Sequence, residues 1–287
     1  MNRGCTIEIF LVDGDPASIC KYTYKNRTIL GYKVPRTKLD EAKNIAALKQ
    51  TGVYFLFGTD DSTGSPLVYV GQAVHRQNGE GLLNRLIEHR RSKDYWTHAV
   101  CLTTTDDTLG PTDISFLENR FVTIAKEAGR YEVKNNVVPN IGNTSEETEC
   151  ALEEYIDFAK ILMAGAIGEK VFMPLLTEAA PSSDPNPAPS TPLFCTRKET
   201  NAVGFRTADG FVVKSGAMIS PKMAASCPDY TKKLREQYKE KIDAGFRTTE
   251  DILFTSPSSA ASFVCGGSVN GNEVWKTESG VPLKDLD

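Results

Sequence analysis

The amino-acid sequence predicts a mixed α+β protein, in which a small and mainly antiparallel sheet is flanked by helices. Two short runs, 53–57 and 67–70, are rich in β-branched and aromatic residues, and the gap between them contains Gly, Asp, Ser and Pro. This pattern is typical of a β-hairpin with a long loop. Two later segments, 82–89 and 111–128, carry apolar residues at helical spacing. A hairpin followed by amphipathic helices therefore indicates the fold class.

Residues 1–50 are predicted to form a β-rich module that leads directly into the hairpin. Strand-like stretches occupy 6–12, 19–24 and 28–34, and the first of them ends at a turn signal of Asp, Gly and Pro. The stretch 38–50 has apolar residues on one helical stripe, which predicts a helix. We find no grouping of catalytic residue types in this module.

Residues 51–177 are predicted to form the central domain. A strand at 97–103 separates the two helices, and Pro111 lies close to the start of the second. The sequence Thr-Ser-Glu-Glu at 144–147 is a capping-box signature. It predicts a third helix that extends to about Gly168 and packs on the core of this domain or on a partner, with the core favoured.

The remainder of the chain divides into a linker and a small α+β domain. Segment 178–192 alternates proline with small polar residues, which favours an extended linker. Residues 193–287 then contain strand-like stretches at 201–205 and 209–216 and a helical pattern at 229–244. We expect these elements to form a separate domain.

Composition limits the class of protein. The chain has 287 residues, 40% hydrophobic and 24% charged, which is ordinary for a soluble protein. Its net charge of −4 means that any contact with nucleic acid must use a local basic patch. The seven cysteines are scattered and include no Cys-x-x-Cys, which favours reduced thiols and a cytoplasmic location. We expect no membrane contact, because no apolar run reaches membrane-spanning length and no secretory signal is evident.

The candidate catalytic residues follow one another in an ordered set. The hairpin strands carry Gly-Val-Tyr at 52–54 and Tyr-Val-Gly at 69–71. The first helix has Arg85 and His89 four residues apart, so both lie on the same side. Glu118 lies at the edge of the apolar face of the second helix, where a carboxylate can face a cleft.

This ordered set resembles the GIY-YIG nuclease family, whose catalytic domain is a small sheet flanked by helices. The resemblance covers about residues 50–140, and both triads have Val where the family has Ile. The residues that match the family's functional positions are Tyr54, Tyr69, Arg85, His89, Glu118 and an asparagine at 135 or 136. The surrounding sequence favours Asn135 over Asn136.

The resemblance implies a metal-dependent endonuclease that hydrolyses phosphodiester bonds, with DNA expected ahead of RNA as its substrate. It implies that Glu118 holds Mg²⁺ or Mn²⁺ and that Tyr54 is the general base, supported by His89. Tyr69 would position water or phosphate, and Asn135 would orient the site through hydrogen bonds. The alternative is a nucleic-acid-binding or regulatory protein on the same scaffold that does not cut, or that cuts only with a partner.

Basic residues on the first helix supply a candidate nucleic-acid contact. Arg85 is suited to bind a phosphate through two parallel hydrogen bonds. Arg90, Arg91 and Lys93 follow it and would extend the patch, although a solvated helix face explains these three equally well. A protein partner or a homodimer is also compatible with the acidic sequence.

The tail resembles a domain of unknown function that is found after GIY-YIG domains. The resemblance is carried by the segments 254–263, 270–271, 275–276 and 280–283. Within the first of them, Ser256 precedes a proline at the first position of a predicted helix. This resemblance implies a fold and a neighbouring domain, and no chemistry.

Overall fold

The computed structural model describes residues 4–75, 81–176, 191–197, 199–225 and 227–286. The chain divides into two compact units, Met1–Pro174 and Leu175–Asp287. Both combine helices with sheet, which confirms the predicted α+β class. Residues 178–190 of the predicted linker lie outside the described residues. None of the described helices is both long enough and apolar enough to cross a membrane.

The first unit is built on a seven-stranded sheet. Its strands are β1 (Ile7–Leu11), β2 (Cys20–Tyr24), β3 (Ile29–Pro35), β4 (Gly52–Thr59), β5 (Pro66–Ala73), β6 (Trp96–Thr104) and β7 (Glu132–Val133). They lie in the order β1-β2-β3-β6-β4-β5-β7. Every pairing is antiparallel except that of β5 with β7. The strands of the first fifty residues therefore continue the same sheet as the hairpin.

Three helices cover the sheet of the first unit. They are α1 (Leu82–Ser92), α2 (Pro111–Ala128) and α3 (Glu146–Leu162). The boundaries of α2 and α3 follow from local sequence. Asp113 accepts a hydrogen bond from the backbone of Gly110 at the start of α2, and Gly129 ends that helix with a left-handed φ of 64°. At the start of α3, the Ser145 hydroxyl accepts a hydrogen bond from the backbone N–H of Thr148.

Strand β4 separates two hydrophobic cores, because its successive side chains point to opposite faces of the sheet. Phe55 and Phe57 lie on one face, where α2 and α3 pack. Tyr54 and Leu56 lie on the other face, where α1 packs. All four are at most 2% exposed. The sheet therefore presents α1 and α2 on opposite sides of the hairpin.

The predicted helix at 38–50 is wrong. This part of the chain forms three short 3-10 turns, Arg36–Lys38, Glu41–Asn44 and Ala46–Lys49. Ile45 interrupts them with an extended backbone, φ −88° and ψ 106°. The apolar spacing is nevertheless used, since Leu39, Ala42 and Leu48 are fully buried among the residues that face α1. Tertiary burial can satisfy an apolar stripe without an α-helix.

The second unit contains a smaller, four-stranded antiparallel sheet in the order β11-β10-β9-β8. Its strands are β8 (Leu193–Arg197), β9 (Thr200–Thr207), β10 (Gly210–Val213) and β11 (Ile252–Phe254). Its helices are α4 (Asp229–Gln237), α5 (Pro257–Cys265) and α6 (Gly271–Val274). Helix α4 is shorter than the predicted 229–244, because a 3-10 turn at Lys239–Lys241 replaces its last part.

A testable consequence concerns Gly58, where the pairing of β4 with β6 shifts register. A Cβ at this position would collide with the backbone carbonyl of Tyr95. Because that obstacle is backbone, we expect Gly58→Ala to lower the free energy of unfolding by on the order of 2 kcal/mol or more. Urea unfolding measures this change.

Gly165→Ala is the matched control. It lies in the helical turn Met163–Ile167 of the same unit, and a Cβ there would meet no atom within 4 Å. Alanine also favours helix over glycine, so this variant should be as stable as the unchanged protein or more stable. Equal losses in the two variants would contradict the role assigned to the close strand approach.

Candidate active site

The two triad tyrosines lie side by side on the face of the sheet that α1 covers. Tyr54 is on β4 and Tyr69 is on the adjacent strand β5, with their ring centroids 6.4 Å apart. Gly71 pairs with Tyr54 across these strands, and a Cβ at Gly71 would overlap the phenol of Tyr54. The glycine of the second triad therefore makes the space that the tyrosine of the first triad occupies.

Helix α1 brings His89 onto both tyrosines. Its apolar residues Leu82 and Leu86 are fully buried, which holds the helix on the sheet. The ring centroid of His89 is 5.5 Å from that of Tyr54 and 5.4 Å from that of Tyr69. The Tyr54 hydroxyl and Nε2 of His89 are 2.7 Å apart, which is the distance of a strong hydrogen bond. Within the described residues, Nδ1 of His89 has no hydrogen-bond partner.

Burial sets the protonation of this hydrogen-bonded pair. It raises the pKa of Tyr54, with the neighbouring Tyr69 adding to the effect, so the hydroxyl is protonated near neutral pH. Burial, with the charges of Lys93 and Arg85, lowers the pKa of His89 to about 4, so the imidazole is neutral. In the tautomer of His89 that carries its proton on Nδ1, the phenol donates to Nε2, and this donor and acceptor are already aligned.

Two cations border the tyrosines. The ammonium of Lys93, the residue that directly follows α1, lies 4.0 Å from the centre of the Tyr69 ring. Arg85 is about half exposed, and its Nη1 donates to Glu88 at 2.6 Å. The charge of Arg85 also acts on Tyr54 and Tyr69, where it favours the phenolate. The border of the site is therefore positive, while the buried Tyr54 and His89 are uncharged.

Glu118 is buried on α2, and its carboxyl is within electrostatic range of the same groups. Burial raises its pKa to about 7, while a hydrogen bond from Gln72 and the charge of Arg85 oppose that rise. The Ser115 hydroxyl lies 3.3 Å from Oε1 of Gln72 and 2.9 Å from the carbonyl of Pro111, and the amide N–H groups of Gln72 are the donors to the carboxylate. Glu118 is thus an oriented carboxylate whose negative charge is only partly compensated.

Gln72 was not among the residues singled out from the sequence. It directly follows the second triad, and its side chain lies on the opposite face of β5 from Tyr69. Its position, one residue past the second triad near the end of β5, was the only sequence signal that could have identified Gln72 as a site residue. A glutamine alone is too common a residue to indicate a site.

The donor set suits a divalent cation held by one carboxylate. Among the residues that the structure describes, no group of three His, Cys, Asp or Glu side chains could enclose a metal ion. Mg²⁺ characteristically keeps several waters and takes only one or two carboxylates from the protein. A nearby cation would also lower the raised pKa of Glu118 and stabilise its ionised form. Glu118 therefore fits an open Mg²⁺ or Mn²⁺ site.

Asn135 acts on the backbone of the hairpin. Its Oδ1 accepts from the N–H of Val70 at 3.0 Å, and its Nδ2 donates to the carbonyl of Val70 at 2.8 Å. It is buried, whereas the neighbouring Asn136 is exposed. The paired hydrogen bonds hold the strand at the residue next to Tyr69. Asn135 therefore positions this part of β5.

The remaining residues of the predicted basic patch differ in their contacts. Arg90 donates to Asp40 at 3.2 Å, so part of its charge is compensated. Arg91 is exposed. Lys93, by contrast, faces Tyr69 as described above. Of the three residues that follow Arg85 in the patch, Lys93 is the one placed against a triad tyrosine.

Comparison with known proteins identifies only the tail. Residues 193–287 match a family described as a domain of unknown function, DUF4357. This match confirms the expectation that the tail is a domain of unknown function. No curated protein and no solved structure matches the chain. The resemblance of residues 50–140 to GIY-YIG nucleases stays a prediction.

The raised pKa of Glu118 predicts how stability depends on pH. The ordinary pKa of this carboxyl is 4.5, and in the folded protein it is about 7. Between these two pH values the folded protein binds the carboxyl proton more tightly than the unfolded chain does. This carboxyl therefore contributes stability at low pH that is lost as the pH rises through the window. Without divalent cations, Glu118→Gln should be more stable than the unchanged protein at pH 8, by on the order of 2–3 kcal/mol.

Urea unfolding in a chelator at pH 5 and pH 8 measures this difference. It should be small at pH 5 and should grow towards pH 8, because only the unchanged protein then buries a charge. Glu127→Gln, at an exposed position on the same helix, is the control and should show little change with pH. A Glu118→Gln difference that is the same at both pH values would contradict the assignment.

Proposed function

We propose that this protein is a metal-dependent endonuclease that hydrolyses phosphodiester bonds in nucleic acid, with DNA as the expected substrate. The observation that carries the proposal is the 2.7 Å hydrogen bond between Tyr54 and neutral His89. It lies beside a cationic border formed by Arg85 and Lys93. Together with Glu118, these residues match in type and order the functional positions of GIY-YIG nucleases. That family likeness supports the reaction class, while the contacts support a role for each residue.

The proton path uses Tyr54 and His89. In the reaction, the Tyr54 oxygen takes a proton from the attacking water as its own proton passes to Nε2 of His89. The resulting hydroxide forms a bond to phosphorus, and the bond to the leaving oxygen breaks, so that this oxygen leaves as an alkoxide and takes a proton from solvent. A bound phosphate brings negative charge beside His89, which raises the pKa of the imidazole and improves it as an acceptor. This relay gives a buried phenol a way to act as general base near neutral pH.

Arg85 is the residue that binds the scissile phosphate. Its side chain is half exposed, and its pairing with Glu88 is a surface ion pair, which contributes little to stability. The guanidinium can therefore exchange this partner for phosphate oxygens at small cost. Its planar donors match two oxygens of a phosphate and stabilise the charge that develops in the transition state. Lys93, next to Tyr69, adds positive charge at the entrance.

Glu118 would hold the divalent cation, with Gln72 orienting the carboxylate. Bound there, Mg²⁺ or Mn²⁺ supplies charge neutralisation for the phosphate and the leaving oxygen. Asn135 keeps β5 in place through the backbone of Val70. In this scheme one residue binds metal, one binds phosphate and a pair moves the proton.

Cleavage assays with plasmid, single-stranded DNA and RNA test the proposal. We expect cutting of DNA that requires Mg²⁺ or Mn²⁺ and is abolished by Glu118→Gln. Tyr54→Phe removes the hydroxyl that accepts and passes the proton, and should lower kcat by about 100-fold or more. Tyr24→Phe, a change at a partly buried tyrosine of the same sheet, is the matched control and should leave cleavage unchanged.

Two outcomes would contradict the proposal. Cleavage by Glu118→Gln at the unchanged rate would remove the metal assignment. Binding without cleavage of any of the three substrates would favour the alternative of a non-cutting or partner-dependent nucleic-acid-binding protein. A separate readout is thermal unfolding in Mn²⁺, where a rise in Tm should occur in the unchanged protein and be absent in Glu118→Gln.

Salt dependence tests how substrate is held. With a net charge of −4, binding must rest on a few cations near Arg85. On duplex DNA each phosphate contact contributes about −0.9 to the slope of log K against log salt, so we expect the slope of about 2 to 5 contacts. Lys93→Ala and Arg91→Ala should each make the slope shallower by about 0.9, the contribution of one phosphate contact.

Lys160→Ala is the control for this measurement. Lys160 is a surface lysine of the same unit that pairs with Asp157 on α3, and its loss should leave the slope unchanged. A steep slope that corresponds to about 10 phosphate contacts would show that another large basic surface binds the nucleic acid.

A further inference from the structure

Two cysteines of the second unit lie in contact. Cys195 is on β8, and Cys265 is the last residue of α5, with their Sγ atoms 3.7 Å apart. Cys195 is fully buried, whereas Cys265 is partly exposed. The chain therefore places one shielded thiol directly behind one that solvent can reach.

The surroundings distinguish the two thiols. The hydrogen-bonded contact with the Cys195 thiol, the charge of Arg197 and the hydroxyl of Thr200 lower the pKa of Cys265, against the opposing effect of burial. The same hydrogen bond and burial raise the pKa of Cys195. Reactive cysteines characteristically occupy partly exposed, electropositive surroundings of this kind. Cys265, the partly exposed thiol beside Arg197, is therefore the nucleophile of the pair, and the buried Cys195 is its partner.

We propose that Cys265 and Cys195 form a thiol-oxidation site that reacts with hydroperoxides, in which Cys265 attacks and Cys195 closes a reversible disulfide. The proposal is independent of the nuclease function, because both cysteines belong to the other unit. It assigns a chemical reactivity to the domain of unknown function.

The reaction has two steps and balances. The Cys265 thiolate attacks one peroxide oxygen, so that an S–O bond forms and the O–O bond breaks. The other oxygen leaves with a proton as water or an alcohol, and Cys265 becomes a sulfenic acid. The sulfur of Cys195 then attacks that of Cys265, the S–O bond breaks, and hydroxide leaves with the Cys195 proton as water. The two thiols lose two electrons and the hydroperoxide gains them.

The geometry favours closure of this bond. A disulfide requires an S–S distance of about 2 Å, so the sulfurs must approach each other from 3.7 Å. Cys265 is at the end of its helix, next to Gly266 with φ 68°, where the backbone departs from helical geometry. The bond would join edge strand β8 to α5 across 70 residues of sequence. Closing so long a loop restricts the unfolded chain, so oxidation should raise the Tm of this unit.

Peptide mapping of the full-length protein tests the proposal. The protein is treated with a small excess of hydrogen peroxide, its remaining thiols are alkylated, and the unreduced digest is analysed by mass spectrometry. We expect a peptide pair joined through Cys195 and Cys265, with two hydrogen atoms lost, and recovery of both thiols after dithiothreitol. The exposed Cys5 and Cys150 are internal controls that should remain alkylated.

Variants separate the two roles. Cys195→Ala removes the closing thiol, so Cys265 should be labelled by dimedone, a reagent for sulfenic acids. Cys265→Ser should abolish both the cross-link and the labelling of the pair. Cys150→Ser is the matched control and should leave the cross-link in full yield. Oxidation of Cys5 or Cys150 in the unchanged protein while the pair stays fully alkylated would overturn the proposal, and that result does not depend on how any variant folds.

Discussion

The first unit depends on how a phenol is accommodated in the interior of its sheet. Strand β4 is paired on both sides and covered on both faces, so Tyr54 is only 2% exposed and its hydroxyl needs a hydrogen-bond partner within the protein. A buried hydroxyl without a partner costs about 1–3 kcal/mol. His89 offsets that cost by forming a hydrogen bond with the hydroxyl, and Gly71 removes the steric obstacle on the neighbouring strand. Helix α1 and strands β4 and β5 therefore meet at the hydroxyl oxygen of Tyr54.

This arrangement also accounts for the electrostatics of the site. The same burial raises the pKa values of Tyr54 and Glu118 and lowers that of His89. In each case the interior disfavours the charged form. Near neutral pH the tyrosines and His89 of the free site are therefore uncharged and Glu118 is partly protonated, with the cations Arg85 and Lys93 at their border. A phosphate and a divalent cation would supply the charges that the interior lacks, which is the physical link between the fold and the proposed hydrolysis.

The second unit raises a separate chemical question. Its sheet and helices form an independent core around Phe211 and Trp275, whose rings pack with centroids 4.7 Å apart. The contact between Cys195 and Cys265 lies at the border of that core, between the edge strand and the end of α5. The proposed nuclease chemistry makes no use of it. A domain matched only as DUF4357 thus carries a feature with its own testable reactivity.

Local sequence determined the elements whose signals lie close together in the chain. The hairpin follows from two apolar runs around turn residues. Helix α2 follows from Pro111 and Gly129 at its ends, and α3 from the cap at Ser145. The prediction of a helix at 38–50 was wrong because apolar spacing indicates which residues are buried, not which backbone conformation buries them. Three short turns bury Leu39, Ala42 and Leu48 without an α-helix.

The functional site follows a similar division. The sequence by itself determined the candidate residue types and their order along the chain, from Tyr54 to Asn135. Only the tertiary structure decided that Tyr54 bonds to His89, that Gln72 orients Glu118, and that Asn135 holds the backbone of β5. Those relations join residues from different strands and helices. Sheet pairing and helix packing bring them together, and the pKa values depend on the resulting burial, which no local pattern specifies.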